Sequence, residues 1–389
     1  MNIFSAFEQN KSMYINRKIE ESILQHLDNN NEIIVVYGAR QVGKTTLINK
    51  VLERTNFKIL KINAEELKYN VLFSSRDLLK MKNLVETYEV LFIDEAQTIE
   101  NIGINIKILH DALPKLKIIL TGSSSFDLSN KIKEPLTGRT KTYMLYPLSF
   151  IELSSLFNTF ELQEHLNESL VFGTYPKLYN FTSKKEKIAH LNELASSYLY
   201  KDVLAFTKLR HSNKIYDLLR LLAFQIGSTV SVHELSKSLK ISSETVERYI
   251  DLLEKAFVIF RLSGFSRKLR KEIKKQDKIF FYDLGIRNSI LNNLSDIEDR
   301  TDIGQLWENF LIIERKKHLT YNELYKEMYF WRTYTGAELD YIEEYDGKLD
   351  GFEFKWGNKK PKAPKSWLEN YKNATYNIVN RTTFLDFIR

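Results

Sequence analysis

Gly38-Ala39-Arg40-Gln41-Val42-Gly43-Lys44-Thr45, entered from the apolar run Ile33-Ile34-Val35-Val36-Tyr37, is the stretch that decides how this chain is read. Glycine, four residues, glycine, lysine and a hydroxyl residue make a phosphate-binding loop when a strand precedes them and a helix follows. Gly38 and Gly43 let the backbone curl so that successive N–H groups face one anion. Lys44 reaches toward the β- and γ-phosphates, and the Thr45 hydroxyl is the expected Mg²⁺ ligand. Thr46-Leu47-Ile48-Asn49-Lys50-Val51-Leu52 then has helical spacing, so a helix N-terminus adds its dipole to the anion site. The plain alternative is a glycine-containing turn between a buried strand and a helix. Strand, loop and helix cues all agree against it, and they imply a bound nucleoside triphosphate.

A second apolar run, Glu89-Val90-Leu91-Phe92-Ile93, ends in Asp94-Glu95-Ala96-Gln97. A buried parallel strand delivers its C-terminal end to the ligand crevice. Asp94 is therefore expected at the Mg²⁺ ion and Glu95 at the attacking water. On its own, an acidic strand end that caps the next helix reads equally well; the pairing with the loop favours chemistry. A third run, Leu116 to Thr121, ends in Gly122-Ser123-Ser124-Ser125, hydroxyls that either sense the γ-phosphate or cap a helix. Arg139, after Leu136-Thr137-Gly138, is a candidate finger for a neighbouring subunit's site; a surface cation is the alternative. The expected nucleotide-binding set is thus Gly38, Ala39, Arg40, Gln41, Val42, Gly43, Lys44, Thr45, Thr46, Asp94 and Ser123, with Glu95, Lys44 and Arg139 catalytic.

Composition sets outer bounds. With 389 residues, 43% of them apolar, the chain is expected to hold about two or three domains. Cysteine is absent, which excludes disulfides and thiolate metal sites, and the cytoplasm is the expected compartment. No run reaches the ~18 apolar residues of a membrane span. The net charge of +7 is compatible with nucleic acid but thin for so long a chain, so the location of charge matters more than its total.

Alternating strands and helices up to about residue 145 read as a doubly wound parallel sheet. Pro147 interrupts the pattern, and Leu, Phe and Tyr at helical spacing to about 210 read as a small helical lid containing the turn Gly173-Thr174-Tyr175-Pro176. Asn213 to Lys278 reads as a winged helix. Ser231 with Glu234 makes a capping-box start, and Ala256–Leu262 and Lys278–Tyr282 are the wing strands. Its second helix shows Glu244, Glu247, Asp251 and Glu254 against Arg248 and Lys255, a face that phosphates would repel. The cations lie on the wing instead, at Arg267, Lys268, Arg270, Lys271, Lys274 and Lys275. If DNA is bound there, it is expected through backbone phosphates; otherwise the wing is a solvated loop.

From about 285 onward a second α/β unit is expected. Asp340 followed by Glu353-Phe354-Lys355 matches the PD-(D/E)xK nuclease pattern, in which two carboxylates meet a metal and the lysine orients water or neutralises phosphate charge. Glu308, on a helix, is a further candidate ligand. Strand alternation puts Glu353 and Lys355 on one face. A polar-faced strand pair in a charged protein is the bland alternative, and Lys359, Lys360, Lys362 and Lys365 beyond it either hold phosphates or form a solvated loop.

GARQVGKTT, FIDEAQ, LTGSSS, LTGRTKTYMLYPLSFIEL, GTYP, LWENF and GAELDYIEE together resemble the bacterial and archaeal AAA+-type ATPases that carry a C-terminal domain of unknown function. The resemblance runs through nearly the whole chain; Ala39 departs from it, since proline is commoner there. It implies an ATPase binding ATP and Mg²⁺, with the segment around Arg17, Ile19, Ile23 and Leu27 covering the adenine; plain core packing explains those apolar residues equally well. The expected architecture is a P-loop, AAA+-like α/β core at 1–146, a helical lid at 147–212, a winged helix at 213–284 and a restriction-endonuclease-like α/β domain at 285–389. Expected partners are DNA and further copies of the chain, in a closed ring. The other reading is a nucleotide-controlled switch or scaffold whose last two domains bind protein and cut nothing.

Overall fold

The computed structural model describes residues 14–123, 135–197, 212–266 and 277–389. The chain opens with α1 (Glu20–Asn29), β1 (Ile33–Tyr37), α2 (Lys44–Glu53), β2 (Ile59–Asn63), α3 (Leu67–Ser74), α4 (Leu78–Val85), β3 (Val90–Asp94), α5 (Ile102–Ala112), β4 (Lys117–Gly122) and β5 (Thr140–Met144). The five strands form one parallel sheet in the order β2-β3-β4-β1-β5. β1 is buried along its whole length, as a central strand covered on both faces must be. Every strand points the same way, so the segments after β1, β3 and β4 leave from one edge. The loop, the Asp94-Glu95 pair and Thr121 to Ser123 therefore meet at that edge by topology alone.

Then come α6 (Phe150–Leu153), α7 (Thr159–Phe172), α8 (Lys184–Ser197), α9 (Ser212–Phe224), α10 (Val232–Leu239), α11 (Ser243–Lys255), β6 (Ile259–Gly264), β7 (Lys278–Phe281) and α12 (Leu284–Ile290). Ser231 caps α10 by accepting the Glu234 N–H at 3.3 Å. The strand expected from Ala256 starts only at Ile259. Phe257 lies in the left-handed region, at φ 57°, and Ala256, Phe257 and Val258 donate their N–H groups back to the end of α11. The chain must leave that helix cap before it can pair.

The last elements are α13 (Ile303–Tyr321), β8 (Glu327–Arg332), β9 (Glu338–Tyr345), β10 (Lys348–Phe354), α14 (Lys365–Asn370), β11 (Ala374–Val379) and α15 (Phe384–Ile388). Their strands join β6 and β7 in a six-stranded sheet ordered β11-β10-β9-β8-β6-β7. β6 and β8 run parallel, with Ser263 opposite Tyr329 and Gly264 opposite Phe330. A backbone ladder thus crosses the boundary expected at 284/285. Long α13 buries Leu306, Trp307, Phe310 and Leu311, and its Phe310 meets Phe150 edge-on at 5.5 Å. This helix is common ground for both sheets.

Candidate functional site

Gly38 enters the loop against the chain that follows β5: a Cβ there would lie 2.1 Å from the Leu145 carbonyl oxygen. Gly43 sits at φ 93° immediately before α2, a conformation that side chains resist. Lys44 is buried, and its Nζ donates to the carbonyls of Gly38 at 2.9 Å and Ala39 at 2.8 Å. The Thr45 hydroxyl donates to Asp94 Oδ2 at 2.7 Å, while Thr121 donates to the other Asp94 oxygen. A hydroxyl and a carboxylate already in contact beside the loop are a fitting pair for a Mg²⁺ ion.

Glu95 follows Asp94 with φ 52°, and its N–H reaches the Thr121 hydroxyl at 3.4 Å. Buried Gln97 then donates to the Glu95 carboxylate and to Ser123 Oγ, the latter at 3.1 Å. Glu95 and Ser123 are thus tied together by an amide between them. Gln97 lies within a quoted motif, yet nothing in its spacing gives it that role; its partner comes from another strand.

Of these groups Gly43, Lys44, Thr45 and Glu95 line a cleft of about 600 Å³ that also receives Arg17, Lys177 and Asn180. Arg17 is buried and donates to the Val42 carbonyl in the loop at 2.8 Å, the Tyr146 carbonyl at 2.6 Å and Glu152 at 3.1 Å. Burial opposes its charge, but Glu152 more than offsets that and raises its pKa. Arg17 thus braces the loop, while Ile19, Ile23 and Leu27 of the same segment are buried in the core. Thr45 and Thr46 are exposed at the cleft, whereas Ser124 and Ser125 lie outside the described residues.

Arg139 is elsewhere. Ile33 donates its N–H to the Arg139 carbonyl at 2.8 Å, so Arg139 sits at the start of β1 and β5, while the loop leaves from the far end of β1. Its side chain meets Asp111, Nε to Oδ1, at 3.1 Å. A strand's length, roughly 15 Å, separates it from its own chain's loop, and it takes no part in that cleft.

The second constellation lies on the six-stranded sheet. Phe352 pairs with Tyr341, and one further step of that register sets Asp340 opposite Glu353. Asp340 Oδ2 accepts the Phe354 N–H at 2.7 Å, and Lys355 Nζ holds Glu353 at 2.5 Å. Glu308 of α13 joins them through a residue that the pattern does not name. Lys278, the first residue of β7, places its Nζ 3.0 Å from Glu308 and 2.7 Å from Glu338. Burial, with the Lys278 charge opposing it and Asp340 adding to it, pushes Glu308 up to about 8. Burial and Glu353 push Asp340 up to about 6. Lys278 is held charged against burial by Glu308 and Glu338. Asp340, Glu353, Lys355 and Glu308 do converge, but around protein partners. Among the described residues no group of three Asp, Glu, His or Cys side chains is arranged to hold a metal ion.

The outward acids of α11 are also paired. Arg261 of β6 meets Glu247 at 3.2 Å, Asp251 at 3.0 Å and Glu254 at 3.3 Å, so one guanidinium is shared by three carboxylates and the face keeps an acidic excess. The wing cations Arg267, Lys268, Arg270, Lys271, Lys274 and Lys275 lie outside the described residues.

Residues 30–154 match the family described as an AAA domain, 163–297 a domain of unknown function (DUF8612), and 303–385 a further domain of unknown function (DUF4143). The AAA domain at 30–154 and the DUF4143 domain at 303–385 together support an AAA+-type ATPase with a C-terminal domain of unknown function. An uncharacterised protein of Methanocaldococcus jannaschii, MJ1544, is 27% identical over 334 residues, spanning 79% of this chain and 74% of its own length. A 48-residue stretch is 46% identical to an uncharacterised ATP-binding protein of the same organism, covering 12% of this chain and 81% of that protein. The solved Walker-type ATPase PABY2304 of Pyrococcus abyssi shares the fold, with a TM-score of 0.53 at 18% identity over 73% of this chain and 99% of that one. The AAA domain match and the geometry of the loop both support nucleotide binding. Among the described residues no helix is long and apolar enough to cross a membrane.

Proposed function

We propose that this protein is a cytoplasmic, Mg²⁺-dependent ATPase that hydrolyses ATP to ADP and phosphate in the cleft above β1, β3 and β4. The contact between Thr45 and Asp94, 2.7 Å apart beside Lys44, carries the reading. Mg²⁺ bound there would neutralise charge on the transferring phosphoryl group. Lys44 exchanges two loop carbonyls for β- and γ-phosphate oxygens. Glu95, held by Gln97, orients the attacking water and accepts its proton. Arg139 is too far from its own cleft to act in cis, so in this reading it leaves Asp111 and acts across a subunit boundary in a closed ring. Exposed Leu67 and Val71, a helical turn apart on α3, and exposed Leu79 on α4 supply apolar surface for such packing.

In this reading residues 213–284 are a winged-helix module and 285–389 a restriction-endonuclease-like unit, and together they hold nucleic acid by its backbone. Exposed Lys359, Lys360, Lys362 and Lys365 follow directly on Lys355, which favours phosphate contact. The pairing of Glu308 and Glu338 with Lys278 favours holding over cutting. The test is ATP turnover with and without forked or four-way DNA at several salt concentrations. Stimulation that fades with salt supports the reading. Turnover indifferent to every DNA, with no binding, moves the last two modules to protein partners.

A further inference from the structure

Lys278 is fixed at its backbone before its side chain is considered. It pairs with Leu262 of β6 and is bridged to Thr229. The side chain is 3% exposed, and its Nζ lies 5.2 Å from the Phe330 ring centroid. From there the ammonium joins three elements: its own β7, Glu308 on α13 and Glu338 on β9. Asp340, two residues beyond Glu338 on the same strand, shares its face. On the other side Gly227, at φ 74°, closes over Glu308, since a Cβ there would lie 2.8 Å from Glu308 Oε2. A buried ammonium is tolerated only when its partners are close and well aimed, and these carboxylates are.

A divalent ion of the Mg²⁺ or Mn²⁺ kind needs several anionic oxygens turned to one point, with room for water besides. Here each donor is turned elsewhere. Glu308 and Glu338 face Lys278, Glu353 faces Lys355, and Asp340 Oδ2 accepts the Phe354 N–H. The pattern of acids implies a metal; their arrangement does not fit one.

We propose that Lys278 is a built-in cation: its ammonium stands where a divalent ion would stand among Glu308, Glu338 and Asp340, and the wild-type cluster binds no such ion. A lysine can neutralise and orient carboxylates but offers no open position at which water can be activated. The cluster therefore ties α13 to the six-stranded sheet and does not cleave phosphodiesters. This goes beyond the ATPase reading and rests only on the nuclease-like arrangement of residues 285–389.

The experiment measures Mn²⁺ binding to the nucleotide-free full chain by electron paramagnetic resonance. Wild type, Asp340→Asn, Lys278→Met, Lys278→Gln and Lys278→Met with Asp340→Asn are compared, with folding checked by circular dichroism. Wild type is expected to leave Mn²⁺ free. Both Lys278 variants are expected to bind one ion per chain, and the Asp340→Asn double variant to lose it. Wild-type binding that Asp340→Asn abolishes would overturn the proposal, as would folded Lys278 variants that bind nothing. Should neither Lys278 variant fold, wild type against Asp340→Asn still decides: equal, negligible Mn²⁺ uptake supports the built-in cation, and a difference overturns it. Because nucleotide is absent, a failed ATPase reading leaves these outcomes unchanged. ATP turnover by the same Lys278 variants, expected unaltered, is measured separately.

Discussion

In the first sheet Lys44 is satisfied by two backbone carbonyls, at 2.9 and 2.8 Å; in the second Lys278 is satisfied by two carboxylates, at 3.0 and 2.7 Å. Both lysines are buried, Lys44 at the start of α2 and Lys278 at the start of β7. The carbonyls offer Lys44 dipoles, which phosphate oxygens can replace. Beside it Asp94 is held only by hydroxyls, from Thr45 and Thr121. The carboxylates around Lys278 answer its charge with charge. A lysine held by backbone dipoles can trade them for a charged ligand; a lysine held by carboxylates becomes part of the framework.

The most severe way to break this contrast is to remove what the nucleotide cleft still lacks. Arg139→Ala is expected to lower kcat by about 10³-fold or more while nucleotide binding persists, the scale on which an arginine finger acts. Mixing it with Lys44→Ala chains, themselves defective in ATP binding or turnover, should restore part of the activity, because one interface then combines an intact loop with an intact arginine. A monomeric active species in sedimentation with ATP would remove Arg139 from the chemistry.

Glu95→Gln comes next. Loss of the group that orients water is expected to slow turnover by about 10²-fold or more, with ATP still bound. Rapid steady-state hydrolysis by the folded variant would reassign the base. Gln97→Ala is expected to produce a smaller loss, since Gln97 tethers Glu95 to Ser123 and is not itself the group that orients water; a KM effect with kcat unchanged would contradict that tether.

The smallest effects belong to the second sheet. Asp340→Asn is expected to change ATP turnover by less than about twofold, as sites with no shared partner behave independently. Neither it nor wild type should cleave single-stranded, duplex, forked or four-way DNA with Mg²⁺ or Mn²⁺. Cleavage by wild type that Asp340→Asn abolishes would restore a working nuclease. Replacing Lys359, Lys360, Lys362 and Lys365 with Gln should weaken DNA binding and flatten its salt slope, by about one unit for each phosphate that is no longer neutralised.

How much of this was legible in the chain follows from the range of each interaction. The loop from Gly38 to Thr45 reads directly because its function is local: backbone N–H groups, a lysine and a hydroxyl lie within eight residues and need only a strand before and a helix after. The apolar runs ending at Asp94 and Thr121 read almost as well, since parallel strands must open on one edge. Asp340, Glu353 and Lys355 were visible as a pattern because a hairpin and strand alternation bring them together. What the pattern could not show is who else arrives. Lys278 stands 30 positions before Glu308 and 60 before Glu338, reading as the start of a wing strand until β6 pairs with β8 and carries β7 into the same sheet. Arg17 and Gln97 are similar: one guanidinium or amide among many, given meaning by Val42, Tyr146, Glu95 or Ser123 from other elements. The sequence by itself determined the nucleotide loop, the parallel core and the identity of the acids. Tertiary structure alone decided which charges are answered, because a Coulomb interaction depends on distance through space, and the chain specifies that distance only when its sheets have closed.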